Sequence, residues 1–217
     1  MPLSQNKMML SQSKIISERV LRVVSCLKGK LGEACSIRRV ALDTRLSYNS
    51  CYQAMMYLKQ EGIVVLNKRE GIQHCRLAAT PKAVLVVSYL SVLEAERRLQ
   101  KDLILRRIVE ELLEGCKLEM ESLVLFGSYA RGQERKRSDI DLFGLAPEGK
   151  SMITLARHLG LKYDRQIQLI IASRKDFREM LQEQGLTVGK EVRDTGLVLA
   201  GSEAFWTIVL DSFKNKT

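Results

Sequence analysis

Leu123-Val124-Leu125-Phe126 runs directly into Gly127-Ser128, and after a spacer of ten residues comes Asp139-Ile140-Asp141. Four apolar residues ending in Gly-Ser predict a buried strand that stops in a tight turn. Alternation along a second strand places Asp139 and Asp141 on one face and turns Ile140 and Leu142 to the other. Two carboxylates whose backbones lie about 7 Å apart can converge on one divalent cation or straddle a pair. The Gly-Ser turn offers backbone N–H groups and a hydroxyl to phosphate oxygens. Hard oxygen ligands beside a phosphate cradle predict a site for magnesium and a nucleoside triphosphate.

The string Phe126-Gly-Ser-Tyr-Ala-Arg-Gly132 through Ser138-Asp-Ile-Asp-Leu142 resembles the signature of the nucleotidyltransferase superfamily that includes DNA polymerase beta. Within it the likeness is to the minimal nucleotidyltransferases, over roughly residues 100 to 205. Thr195-Gly-Leu-Val-Leu-Ala-Gly201 is similar to the closing strand of that branch. The resemblance implies two Mg2+ ions, roughly 4 Å apart, clamping the attacking and leaving oxygens at the α-phosphate. Asp139 and Asp141 would hold the metal and carry catalysis. Gly127 and Ser128 would anchor the outer phosphates, and Arg131, with Arg135 or Arg137, would neutralise the pyrophosphate.

One position departs from that pattern. Active members carry a third carboxylate on the strand after the intervening helix, and the matching residue in Ile167-Gln-Leu-Ile170 is Gln168. An amide oxygen can join a magnesium site but brings no charge and poorly accepts a proton from an attacking hydroxyl. Asp164 has the same strand parity but lies four residues back, about 13 Å along a strand. Nucleotide and metal binding are thus expected to survive even where transfer is slowed or lost.

The chain carries a net charge of +10, and it is unevenly placed. Residues 1–80 hold 13 Lys and Arg against 5 Asp and Glu, a net of +8, and the remainder is only +2. A basic N-terminal third favours a polyanionic partner there. No apolar run is long enough for a spanning helix, and the N-terminus lacks the pattern of a secretion signal. Five cysteines without C-x-x-C spacing read as reduced thiols rather than a disulfide frame or zinc site, and the expected location is cytoplasmic. His74 and His158 are isolated and form no ligand cluster.

Residues 1–12 are polar and expected to fray. Ser13 is placed to cap a helix carrying Ile16, Val20, Val23, Val24 and Leu27, and Ser36 a short one with Ile37, Val40 and Ala41. Ser47 caps a third, to about Gln60, with Cys51, Ala54, Met55 and Leu58 in one stripe. Residues 63–66 and 72–77 then read as a hairpin with a basic tip. This order resembles a winged helix-turn-helix domain over residues 13–80. The resemblance implies double-stranded DNA as partner, with the third helix as the reading element. Asn49 and Gln53 would meet adenine edges, Tyr52 a phosphate or a base methyl, and Ser47, Tyr48, Lys68 and Arg69 would lie near phosphates. A protein-docking role is the other use of such a fold.

Pro81 opens a linking helix over residues 81–99, uncharged from Ala83 to Leu93. Val84, Val87, Leu90 and Leu93 are placed to pack on the preceding domain or on a second copy; the resemblance to winged-helix regulators, which bind two half-sites, implies a homodimer, and a linker helix buried between the two domains is the alternative. Residues 100–217 form the nucleotidyltransferase-like domain, opened by a helix with Leu103, Ile104, Ile108, Leu112 and Leu113 inward. The expected class is α+β, a winged helix-turn-helix domain, a long linking helix, and a mixed β-sheet flanked by helices. Two functions follow. One is a DNA-binding regulator whose second domain binds Mg–nucleoside triphosphate with little turnover. The other is an active, antitoxin-like nucleotidyltransferase moving a nucleoside monophosphate onto a protein or small-molecule acceptor.

Overall fold

The structure is a computed structural model that describes residues 17–33, 35–69, 71–116, 119–135 and 138–214. The expectations for residues 1–12, Ser13, Ile16 and Arg137 lie outside the described residues. The chain divides into two compact units, residues 1–83 and 84–217.

In the first unit, α1 (Glu18–Lys28) starts at Ser17, whose hydroxyl accepts from the Val20 N–H. Its buried face is Val20, Val23, Val24 and Leu27, at the helical spacing seen in the sequence. A two-residue strand β1 (Cys35–Ser36) leads into α2 (Ile37–Thr44), capped by Ser36. Arg45 takes the left-handed conformation after α2, and α3 (Tyr48–Gln60) starts under the Ser47 cap. Cys51, Ala54, Met55 and Leu58 are buried, the stripe expected. Strands β2 (Val64–Arg69) and β3 (Ile72–Leu77) form the hairpin, and β1 joins β3 to complete an antiparallel sheet ordered β1-β3-β2. The periodicity missed β1, because a two-residue strand has too little length to alternate.

The helix α4 (Pro81–Leu99) carries the chain into the second unit. Val84, Val87 and Leu90 are all buried within the chain itself. Next, α5 (Leu103–Gly115) is capped by Asp102. Its inner face is Leu105, Ile108, Val109 and Leu112; the inward placement of Leu103 and Ile104 was wrong, since both are exposed. The Asp102 cap sets the phase of this helix and turns its first two residues outward.

The sheet of the second unit comprises β4 (Ser122–Phe126), β5 (Ile140–Leu145), β6 (Ile167–Ala172) and β7 (Leu197–Ala200), ordered β6-β5-β4-β7. It is mixed, with β5 and β6 parallel and the other neighbours antiparallel. The crossover from β5 to β6 is α7 (Lys150–Tyr163). Leu123, Leu125, Ile140 and Leu142 face α5 and α7 in one core. The opposite parity carries Phe143, which meets Phe177 of α8 (Arg174–Gln182) with ring centroids 5.2 Å apart. Phe177 stacks in turn on Phe205 of α10 (Ser202–Asp211), and Trp206 is fully buried beside it. The capping box expected at Ser173 and Asp176 is present. Between these helices lies α9 (Val188–Thr195).

Candidate active site

Strand direction gathers the site. Antiparallel pairing sets the end of β4 against the start of β5, with Phe126 opposite Asp141. Parallel pairing sets the start of β6 beside the start of β5, with Gln168 opposite Asp141. One end of the sheet therefore holds the Gly127-Ser128 turn, both aspartates and Gln168. Ile140 and Leu142 point into the core, as alternation requires, leaving Asp139 and Asp141 on the other face.

Gly127 opens the five-residue helix α6 (Gly127–Arg131), and no side chain caps its start. Its φ is +68°, in the region glycine favours, and a Cβ here would stand 2.2 Å from Asp141 Oδ2. The turn and the carboxylate can approach this closely only because residue 127 is glycine.

Gln168 is drawn into the pair, its amide Nε2 donating to Asp139 Oδ2 at 2.8 Å. Burial, then the charges of Asp139 and Glu191, push the Asp141 carboxyl above the usual carboxylate range, and Arg131 opposes them. A partly desolvated Asp141 carboxylate beside a second carboxylate is the electrostatic setting a divalent cation relieves. Asp139, Asp141 and the Gln168 amide oxygen are the groups here that could hold a hard cation such as Mg2+. Asp164 is not an alternative. It caps α7 in the left-handed conformation at φ 50°, and β6 begins only at Ile167.

Arg131 reaches the site's edge already paired, its guanidinium donating to Glu191 Oε1 at 3.1 Å. Glu191, on α9, lies sixty residues away in sequence, and nothing in its neighbours marked it. Arg98 is the second residue the sequence did not single out. It donates through Nε to the Tyr129 carbonyl at 2.9 Å and through Nη2 to Glu134 Oε1 at 2.7 Å. Arg98 thus ties α6 and the loop after it to α4. Arg135 keeps its side chain exposed, while its N–H donates to Ser138 Oγ at 2.8 Å. Among the described residues no group of three or more His, Cys, Asp or Glu is placed to hold a metal. The sheet itself supplies two carboxylates, and the third one near Asp141, Glu191, is paired with Arg131.

Residues 109–200 match the family described as "Polymerase beta, Nucleotidyltransferase". This stretch is a nucleotidyltransferase domain of that kind. Two solved structures are similar to the chain. One is a toxin–antitoxin crystallised with AMP-PNP, 22% identical over 51% of this chain and 87% of that chain, at a TM-score of 0.37. The other is a mutant of the toxin–antitoxin MntA–HpeT, 20% identical over 50% of this chain and 86% of that one, at a TM-score of 0.35. No curated protein matches.

In the first unit, Tyr48, Asn49, Tyr52 and Gln53 form one exposed face of α3, opposite its buried stripe, with the two tyrosine rings stacked 6.2 Å apart. Lys68 is exposed on β2, and Arg69 ends that strand. Ser47 is exposed, and its hydroxyl is occupied as the helix cap, accepting from the Ser50 N–H at 3.2 Å. The groove beside α3, about 830 Å³, is of mixed character, lined by Leu42, Tyr48 and Ile72 together with Ser36, Arg38 and Gln73. Four cysteines are buried and Cys26 is half-buried; all five are free thiols. His158 is exposed. Among the described residues no helix is long and apolar enough to cross a membrane.

Proposed function

We propose that the second unit binds a nucleoside triphosphate with Mg2+ and transfers its nucleoside monophosphate, slowly, to a protein or small-molecule acceptor. The observation that carries this is the close approach of Gly127 to Asp141, with Asp139 and Gln168 beside it, inside the matched nucleotidyltransferase stretch. Asp139, Asp141 and the Gln168 amide oxygen hold Mg2+, which supplies Lewis-acid stabilisation of charge at the α-phosphate when bound. The Gly127 amide and Ser128 hydroxyl hold the outer phosphates. Arg131 turns from Glu191 toward the leaving pyrophosphate, with Arg137 as a further cation. The acceptor oxygen bonds to the α-phosphorus, the bond from that phosphorus to pyrophosphate breaks, and the acceptor's proton passes to solvent water. Gln168 positions Asp139 through its amide but cannot take the acceptor's proton.

Transfer of labelled nucleoside monophosphate tests this reading. The wild-type chain labels an acceptor slowly, Gln168→Asp labels it at least tenfold faster, and Asp139→Ala not at all. If neither the wild type nor Gln168→Asp transfers label while both bind nucleotide, the site is a sensor rather than an enzyme.

A second activity is supported by the first unit. Helix α3 and the hairpin read as a winged helix-turn-helix domain that binds double-stranded DNA as a transcription regulator. Asn49 and Gln53 carry the amides that pair with adenine edges, and Tyr48, Tyr52, Lys68 and Arg69 approach phosphates. An anisotropy titration with duplex DNA checks it. Affinity should fall steeply with salt, and Asn49→Ala with Gln53→Ala should reduce preference among sequences more than overall binding. Salt-independent binding, or none at moderate salt, contradicts it.

A further inference from the structure

Helix α4 turns its buried face inward and leaves a second apolar line outside. Leu85 is 59% exposed, Tyr89 42% and Val92 46%, although Val84, Val87 and Leu90 on the same helix are buried. Exposed residues continue the line at both ends, with Lys82 before it and Glu96 after it. The spacing 82, 85, 89, 92, 96 alternates three and four, which is the seam of a packed helix pair. No charge falls between residues 83 and 93, so an anionic polymer finds no cation along the apolar middle of the seam.

We propose that this seam joins two copies of the chain, packed antiparallel about a two-fold axis at Tyr89. The charges select the occupant and its direction. Lys82 and Glu96 each lie seven residues from Tyr89, about 10 Å along the axis on opposite sides. An antiparallel copy sets each Lys82 beside the partner's Glu96, and the two-fold axis repeats the pair. A parallel copy sets lysine on lysine and glutamate on glutamate. Lys82 already meets Glu61 at 2.8 Å yet remains 63% exposed, so it is open to a second carboxylate. Tyr89 at the centre supplies the broad aromatic surface typical of interface cores. One helix pair is at the small end of specific interfaces, so the dimer is reversible, with Kd on the order of micromolar. The inference does not depend on nucleotide or DNA binding.

Sedimentation velocity on the full chain, from below to well above the micromolar range, tests it, with thermal melting of each variant as the check on folding. Wild type passes from monomer to dimer. Tyr89→Arg, and separately Leu85→Ser, remain monomeric without loss of melting temperature. Glu96→Lys and Lys82→Glu each weaken dimerisation about tenfold, since the axis counts every swap twice. The two swaps in one chain restore most of the affinity. A wild type that stays monomeric throughout overturns the proposal, as does a dimer untouched by Tyr89→Arg. Single swaps without effect overturn the antiparallel arrangement.

Discussion

Asp141 holds its position at a cost to the fold. Its carboxyl is pushed up by burial first and by Asp139 and Glu191 next, so the folded chain takes up its proton more readily than the unfolded chain. A carboxyl raised in this way favours the folded state fully below its unfolded pKa and loses that contribution as pH rises through the folded value. At neutral pH the charged side chain is therefore destabilising. Asp141→Asn should raise the melting temperature at pH 7, and the gain should vanish in acid below the ordinary carboxylate range. Melting curves at the two pH values check this; an unchanged or lowered melting temperature at pH 7 contradicts it. Saturating Mg2+ should stabilise the wild type and not the variant. Gly127, Asp139 and Asp141 were all legible in the sequence, because a glycine ending an apolar run and an alternating acid pair are local patterns. Gln168 was legible only through the family resemblance, as the residue at the third-carboxylate position, and the register of β6 against β5 then set it beside Asp141. Glu191 was not legible, since its relation to Arg131 exists only once α9 has folded against α6.

At the scale of elements, α4 and α6 show how a short loop is held. Helix α6 has only five residues and no side-chain cap, too little to be stable by itself. Arg98 of α4 supplies the restraint through the Tyr129 carbonyl and Glu134, and it is only 12% exposed. Arg98→Ala should cost about 2 kcal/mol, because it strands the Glu134 carboxylate in a half-buried place. It should also weaken nucleotide binding by loosening the turn that follows Gly127. Denaturant unfolding together with a nucleotide titration measures both; loss of stability without loss of affinity would show that the turn is held by β4 alone. The caps at Ser36, Ser47 and Ser173 and the buried stripes of α1 and α3 came from the sequence, where a cap and a period of 3.6 are short-range signals. Leu103, Ile104 and the short β1 did not. The first two depend on where Asp102 starts the helix, and β1 exists only because β3 lies beside it.

At the scale of the whole molecule, the chain places two chemistries in succession. Residues 1–80 carry almost all the excess positive charge and expose a polar helix face, while the nearly neutral remainder carries the carboxylate site. Charge asymmetry is visible in a sequence, but which acceptor or duplex uses it is not, because neither surface records its partner's shape. The central claim is that Asp139 and Asp141 hold a magnesium–nucleoside triphosphate. Calorimetric titration of each nucleoside triphosphate with Mg2+, into the wild type and into the Asp139→Ala, Asp141→Ala double variant, tests it most directly. Saturable, Mg2+-dependent binding to the wild type that disappears in the double variant is the predicted result. Failure of every nucleotide to bind the wild type, or equal binding to the folded double variant, would contradict it.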